Sequence, residues 1–397
     1  MTRAFAEETD LLTSPEAAGL LQAALTGDPE VALPGFTARL DDLHFRPGSE
    51  VTAIFTVNFE AAPGQVHTEH LLATTALVSG SVATLSRGEV TLRVWRHPAD
   101  PRLPGLAPAC DPGMVLGWLR DADPDSPGPA SLNVDLLSYR PLRRAVLRAS
   151  AGDRDFYLKV VRPGYDDRLA IRQELLAGAD LTVPVLSRPA PGVLLSPAIR
   201  GLSLATALVD WQRGEGALPN PDDLIGLLDR LPTAVLDLPH RASWSDNLEF
   251  HAATARQKLP EAADRIGALS HEVQRVLDRR RHGPVVPTHG DFYEANIFVD
   301  RDALRFIDID SVGPGLREDD LACCLAHLAV LPTLDPDAYP RLPEVLGWWQ
   351  VAFERQVDAD DLRARTAGVL LSLVSGAGPD HGARWLELAE QFVATSR

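Results

Sequence analysis

The run HGDFYEANIFVDRDALRFIDID, residues 289–310, gathers His289, Asp291, Asn296, Asp308 and Asp310. Asp291 and Asn296 are five residues apart, and Asp308 follows twelve later. Oxygen-bearing side chains are hard ligands that suit Mg²⁺, above all where phosphate oxygens complete its shell. Phosphoryl transfer asks a protein for such ligands, for a carboxylate that positions the attacking hydroxyl and accepts its proton, and for a lysine on the nucleotide. Lys159, at the centre of DFYLKVV, supplies a lysine with apolar neighbours on either side, and Glu174 in QELLAGAD could hold it as an ion pair.

These residues need elements to position them. NIFVD and LRFIDID read as two apolar strands joined by a VDRDA turn, a hairpin that carries Asn296 and Asp308 side by side at one end, with Asp291 in the loop that feeds it. Asp310, two residues beyond Asp308, is expected as a supporting or weaker ligand. LNVDLLSYRPLRRAVLRASAGDRDFYLKVVRPG reads as further strands with a hairpin turn at SAGDRD. DDRLAIRQELLAGADL, residues 166–181, reads as a helix with two aspartates at its favourable end. GVLLSPAIRGLSLATALVDW gives a strand, a Pro-Gly punctuated crossing and a helix, and from about residue 220 the pattern is mainly helical. In that part the adjacent Trp348 and Trp349 could stack on a sugar, but in a helical pattern the pair is expected to be core and rim.

Upstream, residues 36–100 alternate apolar and polar positions, so this stretch is β-rich. PADPRLPGLAPACDPG carries five prolines and reads as a connector, and a helix-like MVLGWLRDA and a DPDSPGP loop follow. LHFRPGSEVTAIFTV and LLSYRPLRRAVLRAS share an aromatic-Arg-Pro step before an apolar strand, the mark of a repeated hairpin. The first copy continues as EHLLATTAL where the second has DFYLKVV, so it lacks the lysine and is not expected to bind nucleotide.

Composition narrows the function classes. The chain has 397 residues, 45% of them hydrophobic, a formal net charge of −17 and a pI near 5.0. That charge argues against nucleic acid or an anionic membrane as main partner. Three cysteines, Cys110, Cys323 and Cys324, make neither a disulfide framework nor a zinc spacing. The N-terminal stretch has acids where a signal peptide needs a basic start, and no run approaches 18 apolar residues, so a cytoplasmic protein is expected. Lysine and arginine number 38, yet only Lys159 and Lys258 are lysines.

Taken together, the motifs resemble the aminoglycoside phosphotransferase and choline kinase group, small-molecule kinases that share the protein-kinase fold. The signature His-Gly-Asp-x-x-x-x-Asn stands as His289, Gly290, Asp291 and Asn296, the Ile-Asp-x-Asp/Glu as Ile307, Asp308, Ile309 and Asp310, and the Asp-Leu-Ala as Asp320, Leu321 and Ala322. The resemblance implies Asp291 as catalytic base, Asn296 and Asp308 as magnesium ligands, Lys159 on the ATP phosphates and Glu174 as its ion-pair partner. It also implies a hinge whose backbone holds adenine at about Ser196, Ala198 and Ile199. His289 then orders the loop, since the reaction needs only one carboxylate. Asp300 and Asp302 belong to the turn.

One departure stands out: SYRPLRRAV has no glycine where a phosphate-covering glycine-rich turn is expected, and Arg140, Arg143 or Arg144 could supply side-chain charge instead. The stretch before residue 130 also exceeds a minimal kinase and resembles the cap of maltokinase-like and glucosamine-kinase-like members. The expectation is therefore an α+β, bilobal protein-kinase-like fold in three parts: 1–130 a β-rich cap-like subdomain, 131–200 the nucleotide lobe and hinge, 201–397 a mainly helical lobe. It would transfer the γ-phosphoryl of ATP, with Mg²⁺, to a hydroxyl of an amino sugar, a sugar or an aminoglycoside-like molecule. The acidic EDDLA at 318–322 favours a cationic acceptor or simply caps the helix that follows. A catalytically silent kinase-like nucleotide- or ligand-binding protein is the alternative.

Overall fold

The structure, a computed structural model, describes residues 3–46, 50–80, 82–122, 132–279, 283–301 and 303–394. The expected boundary at 130/131, the DPDSPGP loop at 123–129 and Asp302 lie outside the described residues. The chain forms two compact units, Met1–Ala170 with Val185–Ala198 and Ile171–Pro184 with Ile199–Arg397.

The first unit is built on two antiparallel sheets. Helices α1 (Arg3–Thr13) and α2 (Glu16–Thr26) precede β1 (Thr37–Arg46), β2 (Glu50–Ala62), β3 (Gln65–Thr74), β4 (Ala83–Arg87) and β5 (Val90–Arg96). These strands form one sheet in the order β1-β2-β3-β5-β4. Strict alternation along β2 turns Val51, Ala53, Phe55 and Val57 inward, where they pack with Leu12 of α1 and Leu21 of α2. The proline-rich segment is not wholly a connector. Leu106–Ala109 forms a helical turn, α3, which admits Pro108 because a first turn leaves its N–H groups without helical partners anyway.

α4 (Pro112–Ala122) leads to β6 (Leu132–Arg140), β7 (Arg144–Ala151) and β8 (Arg154–Val161), then α5 (Tyr165–Gly178) and β9 (Val193–Pro197). The second sheet runs β6-β7-β8-β9, and the division between the units falls inside α5. Leu106, Val115 and Leu119 cover the face made by Leu147, Phe156 and Leu158. Lys159 lies among buried residues of β8 but on the alternate face, opposite Val146 on β7 and Leu194 on β9.

The suspected repeat has a geometric counterpart. Arg46 pairs with Glu50 and Arg140 with Arg144, so both hairpins close over the same interval. Counting along the ladders, the pair Val146 and Lys159 corresponds to Thr52 and Thr74, whose hydroxyls share a buried 2.7 Å hydrogen bond. The lysine position of one sheet is a threonine in the other.

The turn after β6 is closed by Leu142 in a left-handed conformation, φ 63°. For a residue with a Cβ this costs about 1–2 kcal/mol. Burying the leucine side chain returns about 1.5–3 kcal/mol, and Leu142 is buried with Leu72, Ala76 and Trp95 of the first sheet region. Leu142 N–H also donates to Asp100 Oδ2 at 2.7 Å, so burial and this bond outweigh the backbone cost.

After the Ile171–Pro184 segment, the second unit continues with a short strand, β10 (Leu202–Ser203), and α6 (Leu204–Gln212), which Ser203 caps by accepting the Thr206 N–H. α7 (Pro221–Asp229) starts with an Asn220/Asp223 capping box, and α8 (Leu248–Lys258) and α9 (Ala263–Arg279) follow. β11 (Val286–Thr288), β12 (Ile297–Asp300), β13 (Ala303–Phe306) and β14 (Gly313–Gly315) interrupt the helices. α10 (Arg317–Leu334), α11 (Leu342–Phe353), α12 (Ala359–Val374) and α13 (Pro379–Ala394) complete the unit. α12 is buried nearly all round because it packs against α8, α9, α10 and α13. The tryptophan pair of α11 divides into core and rim as expected, with Trp349 buried and Trp348 exposed. No described helix is long and apolar enough to cross a membrane.

Candidate active site

The loop bearing Asp291 is fixed from behind. Thr288 ends β11, and its Oγ1 donates to the Gly313 carbonyl of β14 at 2.8 Å. His289 N–H and Gly290 N–H then donate to the two carboxylate oxygens of Asp320 at 2.8 and 2.7 Å. Asp320 is fully buried, and burial raises its carboxyl to about 7 against the pull of those two N–H groups. The His289 ring is buried against Phe306, and its Nε2 meets the Ile307 carbonyl at 3.1 Å. Nε2 must therefore carry the proton, which leaves His289 an ordering role.

The hairpin delivers the remaining oxygens. Ile297 pairs with Phe306, and the Ile307 N–H donates to the Asn296 carbonyl at 2.9 Å. Asn296 and Asp308 thus sit at the same end of the hairpin, on adjoining positions. Asn296 is buried, and its Nδ2 donates to the Asp291 carbonyl at 2.9 Å, which ties the amide to the loop that carries Asp291. The strand does not continue to Asp310. β13 ends at Phe306, Asp308 turns left-handed at φ 50°, and Ile309–Ser311 is a 3-10 turn. A continuing strand would have set Asp310 on the same face as Asp308; the turn at Ile309–Ser311 removes that relation. Asp308 makes no side-chain cap to the turn, and Asp310 is buried.

Other expected residues fall as follows. Lys159 is half-buried on β8; Ser196 and Ala198 end the β9 segment in the first unit, and Ile199 begins the second. The Ala198 N–H donates to the Asp155 carbonyl at 2.9 Å. Glu174 is on α5, on an exposed position. The acids of EDDLA are largely spent on the protein itself. Asp320 holds the loop, and Asp319 accepts from Arg365 at 2.8 Å and from Ser245 at 3.0 Å, so the run carries no argument for a cationic acceptor.

Side chains near Asp291 were missed from sequence. Tyr293, two residues on, stacks on His327 of α10 with ring centroids 4.1 Å apart. Burial lowers His327 to about 4 and raises Tyr293 to about 12, the latter helped by the charge of Asp291. Glu294 is buried and raised to about 7 by burial. A lone histidine in ACCLAHLAV gives no signal that it meets the loop. A cavity of about 390 Å³ also lies against the loop, lined by Gly290, Ser311, Arg241, Trp244 and Asp319 among others, with Arg241 bonded to Ser311.

Among the described residues no group of three or more His, Cys, Asp or Glu side chains is arranged to hold a metal ion alone. Asn296 and Asp308 offer two hard oxygens, the donor set of a magnesium site that phosphate oxygens complete.

Comparison with known proteins gives a family. Residues 142–342 match the APH phosphotransferase enzyme family. No curated protein matches the chain. Among solved structures, choline kinase from Cryptosporidium parvum aligns with TM-score 0.49 and 11% identity over 71% of this chain and 95% of its own. A thermostable mutant of aminoglycoside phosphotransferase APH(4)-Ia, in ternary complex with AMP-PNP and hygromycin B, aligns with TM-score 0.49 and 16% identity over 70% of this chain and 98% of its own. A glucosamine kinase aligns with TM-score 0.42 and 16% identity over 98% of this chain and 99% of its own.

Proposed function

The chain belongs to the phosphotransferase enzyme family, and from that premise we propose that it moves the γ-phosphoryl group of ATP to a hydroxyl of a small polar molecule, an amino sugar, a sugar or an aminoglycoside-like compound. It is a small-molecule phosphotransferase. Asp291 orients the acceptor hydroxyl and takes its proton as the acceptor oxygen bonds to phosphorus and the bond to the departing ADP oxygen breaks. Asn296 and Asp308 are the residues that would hold magnesium, which when bound neutralises phosphate charge. Lys159 contacts the α- and β-phosphates, and the backbone at Ser196, Ala198 and Ile199 receives the adenine. The observation that best supports this reading is the hairpin pairing, which brings Asn296 and Asp308 to one end beside a loop fastened to Asp320.

The test is Mg²⁺-dependent ATP binding followed by ADP release across a panel of sugars, amino sugars and amino alcohols. Asp291→Ala should lower turnover by about 10²–10⁴-fold with nucleotide affinity nearly unchanged. Asp308→Asn should lose the Mg²⁺ dependence of binding as well. Near-normal turnover in Asp291→Ala would remove the base assignment. Tight Mg-ATP binding with no acceptor-dependent ADP release would favour the silent nucleotide-binding alternative.

A further inference from the structure

A glycine-rich turn grips phosphate with its backbone amides, which the β6–β7 turn cannot do. Leu142 N–H donates to Asp100 Oδ2 at 2.7 Å, and Arg143 N–H donates to the Arg140 carbonyl at 3.0 Å, so both amides are already committed. Tyr139, the last residue but one of β6, donates its hydroxyl to the same Asp100 oxygen at 2.8 Å. Asp100 Oδ1 accepts the N–H groups of Arg102 and Leu103 at 2.8 and 3.2 Å, so the carboxylate is itself anchored in the proline-rich segment. It is buried, and the Leu142 side chain is buried in the Leu72, Ala76 and Trp95 cluster. Arg140 and Arg143 flank this fixed turn on exposed positions.

We propose that Asp100 is a positioning residue for the nucleotide site. It fixes the 141–143 turn in one shape so that Arg140 and Arg143, by guanidinium rather than backbone N–H, meet the phosphates. The inference rests on the nucleotide reading above and adds to it a cause, because Asp100 and Tyr139, which anchor the turn, lie outside the family match at 142–342. A carboxylate accepting three backbone N–H groups and one hydroxyl is a stiff anchor, since charge-assisted bonds are short and directional. Leu142, held left-handed at φ 63°, is the second part of the device. Stiffness of this kind spares the ordering cost that a mobile loop meets on binding.

Asp100→Asn, Tyr139→Phe and Leu142→Gly separate the parts, because glycine accepts the left-handed backbone while it removes the buried side chain. Three quantities are read: hydrogen exchange of the 138–146 segment in the nucleotide-free protein, affinity for Mg-ADP, and KM for ATP against KM for any acceptor found active. In the wild type the Leu142 amide should exchange slowly. Asp100→Asn and Leu142→Gly should speed exchange there and weaken Mg-ADP binding by about tenfold, with Tyr139→Phe between them and the wild type. Arg143→Ala should weaken Mg-ADP binding without speeding exchange, which a purely structural role for the turn does not predict. KM for ATP should rise while KM for the acceptor stays level.

Faster exchange with Mg-ADP affinity unchanged would overturn the proposal, as would slow exchange in all variants. A wild type that fails to bind Mg-ADP would instead remove the nucleotide reading itself. Thermal melts exclude unfolded variants, and Tyr139→Phe, which keeps the ring, keeps the test open if Asp100→Asn does not fold.

Discussion

Burial leaves the His289 imidazole neutral: its pKa falls to about 4 from an ordinary 6.5, against partial help from the Ile307 carbonyl. His327 falls to about 4 by burial alone. A histidine lowered on folding contributes stability above pH 6.5 that is lost as pH falls toward 4. Glu294 and Asp320, both raised to about 7, act in the opposite sense, adding stability below the ordinary carboxylate range that is lost as pH rises through 7. The imidazole NMR signals of His289 and His327 should therefore stay in the neutral form from pH 8 down to about 5, and a titration near 6.5 in either would contradict the burial argument. At this scale the sequence is a good guide where chemistry is contiguous. Asp291, Asn296 and Asp308 lie in one short run with the spacing of a loop and hairpin, whereas Tyr293 and His327 meet only through tertiary packing across 34 positions (327 − 293).

The strand-and-loop element depends on one backbone position. Gly290 has φ 78°, and a Cβ there would stand 2.7 Å from the Ser311 carbonyl oxygen and 2.9 Å from the Ser311 Cβ. Gly290→Ala should cost about 2–4 kcal/mol through strain and overpacking, read from urea unfolding, and a loss well under 1 kcal/mol would show that the 311–313 segment yields freely. Turnover should fall further than stability alone explains, because the peptide that moves is the one Asp320 holds beside Asp291. Alternation identified β2, β7 and β8 because a two-residue period turns one face to a core. It overran at Asp308, where the sign of φ changes, and it passed over α1 and α2, whose apolar positions matter only once the first sheet lies beneath them.

At the scale of the whole molecule, the helical unit is tied together by buried charge as well as by its apolar core. Arg365 of α12 bonds Asp361 at 3.1 Å and Asp319 of α10 at 2.8 Å, and Ser245 donates to the same Asp319. Burial works against the guanidinium, but the two carboxylates outweigh it and raise its pKa. Arg365→Ala strands buried Asp361 and should cost about 3–5 kcal/mol. A double change, Arg365→Met with Asp361→Leu, should recover much of that in the same denaturation assay; no recovery would mean the network does more than neutralise itself. The sequence foretold the α+β class and the helical C-terminal half, which follow from periodicity, but not these long-range charge pairs, which belong to no local pattern. One global trait of the chain has a practical side. With Lys258 exposed on α8 and Lys159 half-buried on β8 as its only lysines, the protein offers acylating enzymes, amine cross-linkers and surface-coupling reagents almost no lysine side chain to seize. Amine-directed labelling of its side chains is confined to one outward position on α8 and one half-buried position on β8.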